Sequence, residues 1–320
     1  MIVVTGGAGF IGSNLVRTLN ANGYGEVLVV DDLTDGNKFL NLVDCDILDY
    51  VDKDAFIARL RAKDLPASIQ AVFHQGACAD TRERNGRYMM AANYEYSKVV
   101  LHICLDRRIP FLYASSAAVY GADAVFDETQ KNEHPLNVYG YSKLMFDNHV
   151  RRILPGARSQ IVGLRYFNVY GPREQHKGKM ASIVYHLNQQ VRDIGKARLF
   201  RGYDGYSDGE QRRDFVHVDD VVAVNLWFLK KRHRSGIFNL GTGKSRSFND
   251  VARAVLRWHG CEEIEYIHFP DELRGRYQSF TEADTRALRG VGYNEPFMPL
   301  EQGLAAYLQW LEEASQGSHG

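Results

Sequence analysis

Short apolar runs alternate with amphipathic stretches through the first half of the chain. Ile2, Val3 and Val4, then Val27 to Val30, then Ala71 to Phe73, then Phe111 to Tyr113, are nearly continuous hydrophobic segments. That pattern fits strands covered on both faces of a parallel sheet. Between them, residues 10–22, 88–107 and 137–152 carry apolar side chains at helical spacing; in the second, Met89, Tyr96, Val99, Val100, Ile103 and Cys104 form the apolar side. The alternation of strand and helix predicts an α/β fold with a doubly wound parallel sheet. A further strand is predicted within 159–169. Beyond residue 170 the pattern changes: a polar stretch at 174–179, a helix over about 180–192, a Gly- and Asp-rich loop at 203–211, a strand entering a helix through Asp219, and a strand at 237–243.

Composition narrows the picture by exclusion. At 320 residues the chain can bury a large core, as one large domain or two intimate ones. Lys plus Arg and Asp plus Glu both number 39, so no global field attracts nucleic acid or an anionic membrane, and any anion is held locally. Cys45, Cys78, Cys104 and Cys261 form no CxxC pair, which argues for buried thiols and against a disulfide frame or a metal site. No apolar run approaches the ~20 residues of a membrane span, and no leader precedes the first strand, so a cytoplasmic protein is expected. The small polar stretch 314–320 reads as a disordered tail or a cloning remnant.

The chemistry begins at Gly6, Gly9 and Gly12, set between the first strand and the first helix. Glycines there let the backbone turn tightly and approach a pyrophosphate at the helix N-terminus, the dinucleotide-binding arrangement of a Rossmann domain. Asp31 and Asp32 end the next strand about 20 residues on, where an acid can bond the adenosine ribose. That favours NAD over NADP, but Lys38 and Lys53 can offset a 2′-phosphate, and the choice stays open. Asp44 to Ile47 reads as a short strand end bordering the adenine, or as a solvated turn. Gly76 and Ala77 follow a buried strand where backbone can pass close to a cofactor. Asn93 is placed to hold a loop or the cofactor.

Ser115 and Ser116 end a central strand, at the edge where open parallel sheets bind ligands. Tyr139 and Lys143, four apart on a helix, lie on one face, so the ammonium can sit near the phenol and lower its pKa. Ser116, Tyr139 and Lys143 then form a proton relay around a nicotinamide. Ser116 would orient an alcohol, Tyr139 would take its proton, and Lys143 would bond the nicotinamide ribose. Downstream, Leu199, Phe200, Arg201, Arg213, Arg274, Arg276 and Tyr277 gather aromatic and cationic groups suited to a nucleoside diphosphate. The expected organisation is a dinucleotide-binding domain over 1–170 and a smaller C-terminal α/β substrate lobe over 171–320, with segments near 213–243 returning to the sheet.

The runs TGGAGFIGSN, YASSAAVYG, YGYSK, LRYFNVYGPR, RDFVHVDDV and FNLGTG together resemble the extended short-chain dehydrogenase/reductase family of sugar-nucleotide epimerases, over nearly the whole chain. Residues 35–39, 73–78, 88–90, 173–182, 224–229 and 273–281 are similar to the branch that acts on ADP-heptose. The resemblance implies NADP-dependent inversion at C6 of the heptose of an ADP-heptose substrate, through oxidation to a ketone, for the lipopolysaccharide inner core, by a homo-oligomer of pentameric relatives. It carries Phe10, Ile11, Gln75, Cys78, Ala79 and Val169 to the cofactor, and Asn168, Lys179, His186, Gly202 and Tyr203 to the substrate. It makes Lys177 the second acid/base, working only with its pKa lowered by burial or by a cation such as Lys179. Lys179 and Tyr203 stand where relatives have Ser, Gln75 where they have an acid, and Ala92 where they have the Asn whose part Asn93 would take. A 4,6-dehydratase would need an acid pair after Ser116, where Ala117, Ala118 and Val119 stand. A net oxidoreductase would use the same relay. A cofactor-sensing binding protein that had lost its chemistry would be expected to lose Tyr139 or Lys143.

Overall fold

A computed structural model describes residues 1–66 and 68–317. Seven parallel strands make the main sheet: β1 (Ile2–Thr5), β2 (Val27–Asp31), β3 (Asp49–Asp52), β4 (Ala71–His74), β5 (Phe111–Ser116), β6 (Ile161–Tyr166) and, from further along the chain, Gly236–Leu240. Three short strands intervene: β7 (Asn168–Tyr170), β8 (Ala197–Phe200) and β9 (Arg212–His217), which makes the seventh main strand β10. The sheet order is β10-β6-β5-β4-β1-β2-β3. It reverses direction at β1, and ligands of such sheets sit beyond the strand C-termini near that reversal.

The helices are α1 (Phe10–Ala21), α2 (Lys53–Arg61), α3 (Gly86–Met90), α4 (Tyr96–Asp106), α5 (Val138–Ile153), α6 (Ile183–Ile194), α7 (Val218–Lys230), α8 (Phe248–Trp258), α9 (Arg286–Gly290) and α10 (Leu300–Gly317). One face of the main sheet packs Ile2, Val4, Val27 and Val29 against Leu15, Val16 and Leu19 of α1 and Val221 and Val222 of α7. The opposite face packs Val3, Leu28, Val30 and Phe111 against Phe56 of α2, Val100 and Leu101 of α4 and Phe146 and Val150 of α5. Fully burying each such side chain is worth ~1.5–3 kcal/mol, so the sheet and its two helix layers are one cooperative platform.

The chain leaves this platform after β6. Only Phe167 separates β6 from β7, which pairs parallel to β9 in a second sheet of order β11-β9-β7, with β11 at Ser245–Ser247. A third sheet joins β8 to β12 (Ile264–Ile267). Leu187, Val191, Leu199, Phe215, Val255, Leu304 and Leu308 form the core of this part.

Several expectations change here. Of the segments near 213–243 assigned to the main sheet, only β10 joins it, parallel to β6; β9 lies in the second sheet. The helix expected over 88–107 is interrupted by a π-helical turn at Ala91–Glu95. Residues 44–47 form no strand, and the edge strand is β3 instead. Residues 314–317 continue α10 rather than forming a tail, and residues 318–320 lie outside the described residues. Of the four cysteines only Cys104 is fully buried; the others are half-buried and all are free thiols. Among the described residues no helix is long and apolar enough to cross a membrane.

Candidate active site

Two cavities meet at Ala77, beyond the C-terminal ends of the main strands. The first, about 560 Å³, is lined by Gly6, Asp31, Asp32, Lys38, Lys53, Gly76, Cys78, Tyr88, Ala92 and Tyr96. Its floor depends on missing side chains. A Cβ on Gly12 would stand 2.0 Å from the Gly6 carbonyl oxygen, and one on Gly6, whose φ is +67°, would stand 2.6 Å from the Gly76 nitrogen. Neither contact is tolerable, so the loop and the β4 end close up only as glycines, leaving the α1 N-terminus open to an anion.

The two acids after β2 are already engaged. Asp31 Oδ2 accepts the Ala8 N–H at 2.8 Å, and its other oxygen pairs with Lys38. Asp31 therefore holds the glycine-rich loop in shape. Asp32 pairs with Lys53 and caps Thr34; the Lys53 hydrogen bond is the main reason its carboxyl is held well below the usual range, and the same bond raises Lys53. Asn93 lines neither cavity. Buried in the π-helical turn, it accepts the Cys78 N–H at 2.8 Å and donates to the Cys78 carbonyl and the Ser142 hydroxyl, both at 3.0 Å. It clamps the loop after β4, which forms the cavity wall, to the helix that carries Tyr139.

The second cavity, about 510 Å³, brings Phe10, Ile11, Gln75, Ala79, Ser116, Tyr139, Lys143, Asn168, Val169, Lys177, His186, Phe200, Arg213 and Tyr277 together. Asn137 caps α5 by accepting the Gly140 N–H at 2.8 Å, which starts the helix so that Tyr139 and Lys143 fall one turn apart. Burial raises the Tyr139 phenol, and the hydrogen bond with Ser116 opposes that rise. The Lys143 ammonium donates to the Ala114 carbonyl at 2.8 Å and lies 6.0 Å from the Tyr139 ring centre. Burial brings Lys143 down to about 8, with Asp147, one turn further along α5, pulling the other way.

Lys177 arrives from the 3₁₀ turn Gln175–Met180, its ammonium 5.3 Å from the centre of the Phe10 ring. Burial lowers its pKa and the neighbouring Glu174 raises it; Lys179 has no part in this. Gly178, at φ +51°, breaks the turn, so Lys179 is exposed and does not line the cavity. The Arg213 guanidinium lies 4.7 Å from the Tyr277 ring centre and 5.5 Å from that of Phe248, on the cavity wall, with no carboxylate partner among the described residues; burial lowers its pKa. A buried cation held by aromatic rings rather than by an acid is free to take a phosphate.

Three further expected residues stand outside. Arg201 and Gly202 are exposed, Gly202 donating to Asp208 at 2.7 Å. Tyr203 stacks on Phe269 at 4.2 Å, with Arg274 5.5 Å from its centre. Gly9 and Gly12 shape the loop without lining a cavity, and Asp44 pairs with Arg173 away from both. Sequence reasoning did not anticipate Tyr96, Thr5, Ser182 or Phe248. No local signal in the sequence marks Phe248, which meets Arg213 only through the fold.

Residues 2–241 match the profile of the NAD dependent epimerase/dehydratase family. The chain belongs to this family. It is 58% identical over 314 residues, 98% of each chain, to a protein of Alkalilimnicola ehrlichii named ADP-L-glycero-D-manno-heptose-6-epimerase. The crystal structure of the Helicobacter pylori ADP-L-glycero-D-manno-heptose-6-epimerase superposes with a TM-score of 0.85 at 33% identity, covering 97% of this chain and 96% of that one. The crystal structure of the Thermus thermophilus UDP-glucose 4-epimerase in complex with NAD gives 0.80 at 26% identity, covering 98% of this chain and 99% of that one. The likeness to these solved structures spans the platform and the lobe alike.

Proposed function

We propose that this chain, an isomerase of the epimerase class, interconverts ADP-D-glycero-D-manno-heptose and ADP-L-glycero-D-manno-heptose by inverting C6 through a transient ketone. The observation that carries the reading is that one cavity holds two acid/base groups from different elements, Tyr139 from α5 and Lys177 from the turn before α6. Inversion of a secondary alcohol through a ketone takes hydride from one face of the carbon and returns it to the other, and two proton-carrying groups let the oxygen be served in both orientations of the ketone. The substrate class supports it too: the close relative over 98% of the chain carries the heptose epimerase name.

A nicotinamide dinucleotide fits the paired cavities, its pyrophosphate at the Gly6 to Gly12 loop and its adenosine beside Asp32 and Tyr88; when bound, it supplies the acceptor and donor of the C6 hydrogen. NADP is the proposed form, with Lys38 and Lys53 turning from their acids to a 2′-phosphate. The protein's own groups do the rest. Ser116 orients the C6 oxygen, Tyr139 takes or gives its proton, and Lys143 bonds the ribose beside it. Lys177, its charge weakened by burial, serves the other face. Arg213, Tyr277 and Phe200 hold the ADP diphosphate and base, with Asn168 and His186 along the sugar. The reading includes a homo-oligomer located in the cytoplasm.

The test is turnover by purified protein with substoichiometric NADP in D₂O. The account expects the two epimers to equilibrate with the C6 hydrogen retained. Stoichiometric accumulation of reduced cofactor would identify a net dehydrogenase instead.

A further inference from the structure

Behind the Lys177 turn lies a carboxylate that this chemistry does not use. Glu174 is fully buried. One of its oxygens accepts the Ser182 backbone N–H at 2.6 Å and the other accepts the Ser182 hydroxyl at 2.6 Å. Ser182 in turn caps α6 by accepting the Tyr185 N–H at 3.3 Å. The Glu174 carbonyl accepts the Lys177 N–H at 2.9 Å, which closes the turn. From α10, the buried Tyr307 hydroxyl faces the same carboxylate without forming a well-made hydrogen bond. One side chain thus joins the end of β7, through the Gly171 N–H at 3.5 Å, to the start of α6 and faces the C-terminal helix, while Lys177 of the same turn lines the cavity.

We propose that Glu174 is a positioning residue for the reaction: its buried carboxylate fixes the Lys177 turn against α6 and α10 and keeps a negative charge behind the Lys177 ammonium. This rests on the reading of Lys177 as an acid/base. The groups facing Lys177 are Glu174 and His176 of its own turn and the Phe10 ring of α1. His176 is kept toward its neutral form by burial. Glu174 is therefore the group that offsets the loss of water around the ammonium; burial raises its own carboxyl, and the Lys177 charge together with the two Ser182 bonds, one to each oxygen, favours the ionised form against that rise. Without it, Lys177 would hold its proton less tightly and would be less well placed.

The experiment reads the Lys177 titration directly, by ¹³C NMR of the protein after reductive dimethylation of its lysines, with the Lys177 signal identified by its loss in Lys177→Met. In Glu174→Gln the signal should titrate at lower pH than in the parent, and Glu174→Asp should fall between them. With unmodified protein, Glu174→Gln should lower kcat about tenfold near neutrality, move the Lys177 limb of the pH profile to lower pH, and leave the KM for the dinucleotide unchanged. A folded Glu174→Gln protein whose Lys177 signal titrates as in the parent would overturn the proposal. Should that variant not fold, Glu174→Asp carries the test, its retracted carboxylate giving a smaller displacement in the same direction, and no displacement overturns the proposal. Full epimer interconversion by Lys177→Met would instead overturn the acid/base reading of Lys177 while the titration result stood, so the two failures are separable.

Discussion

At the scale of single residues, His74 shows how the site's surroundings are kept neutral. Ser97 donates its hydroxyl to the Asn93 carbonyl at 2.5 Å, so His74 Nε2 must donate to Ser97 at 2.8 Å. Its Nδ1 is then left to accept from the Thr5 hydroxyl at 2.6 Å. This orders one neutral tautomer. Burial, and next the Lys143 charge, push the imidazole down from 6.5 to about 3. Between those two values the unfolded chain binds the extra proton, so stability is lost as pH falls through that window, by up to ~1.4 kcal/mol per pH unit. Asp220, raised by burial to about 6, acts with the opposite sign between 3.8 and 6, where the folded form holds the proton. The expected outcome is that His74→Gln flattens the acid side of the stability curve, seen in denaturant midpoints across pH. A slope equal to the parent's would mean that the folded protein binds that proton.

At the scale of elements, what could be read in advance was what is local. Tyr139 and Lys143 share a helix, and helical spacing alone puts them on one face. The glycine loop sits between its own strand and helix. What could not be read is set by chain segments far apart: Phe248 reaches Arg213 from α8, and Asp44 pairs with Arg173 rather than bordering the cavity. Lys177 and Lys179 read alike in sequence and part company only because the backbone reverses at Gly178. The helix that carries Tyr139 also has a stated weak point. Asn137→Ala removes the cap on its first turn, and a loss of about 1 kcal/mol is expected by chemical denaturation. No loss would show that the first turn is held by packing alone.

At the scale of the whole molecule, the proposed catalytic groups of α5 and β5 stand on a buried ionic frame. Arg165 is fully buried, bonding Asp147 at 2.9 Å and Glu133 at 2.5 Å; Asp147 also accepts the Tyr113 hydroxyl at 2.8 Å and the Ser115 hydroxyl at 2.9 Å. This frame ties β5 and β6 to α5 directly beneath Ser116 and Lys143, so the relay is fixed to the platform. Lys177 belongs to the other part of the molecule, anchored by α6 and α10. The proposed reaction has each part present a proton-carrying group to the oxygen on the same carbon. The most direct measurement of that claim is the rate of interconversion of the two ADP-heptose epimers by Tyr139→Phe and Lys177→Met with cofactor bound. Each single substitution should slow interconversion by at least ~100-fold, and parent-like interconversion by Lys177→Met would contradict a two-group mechanism.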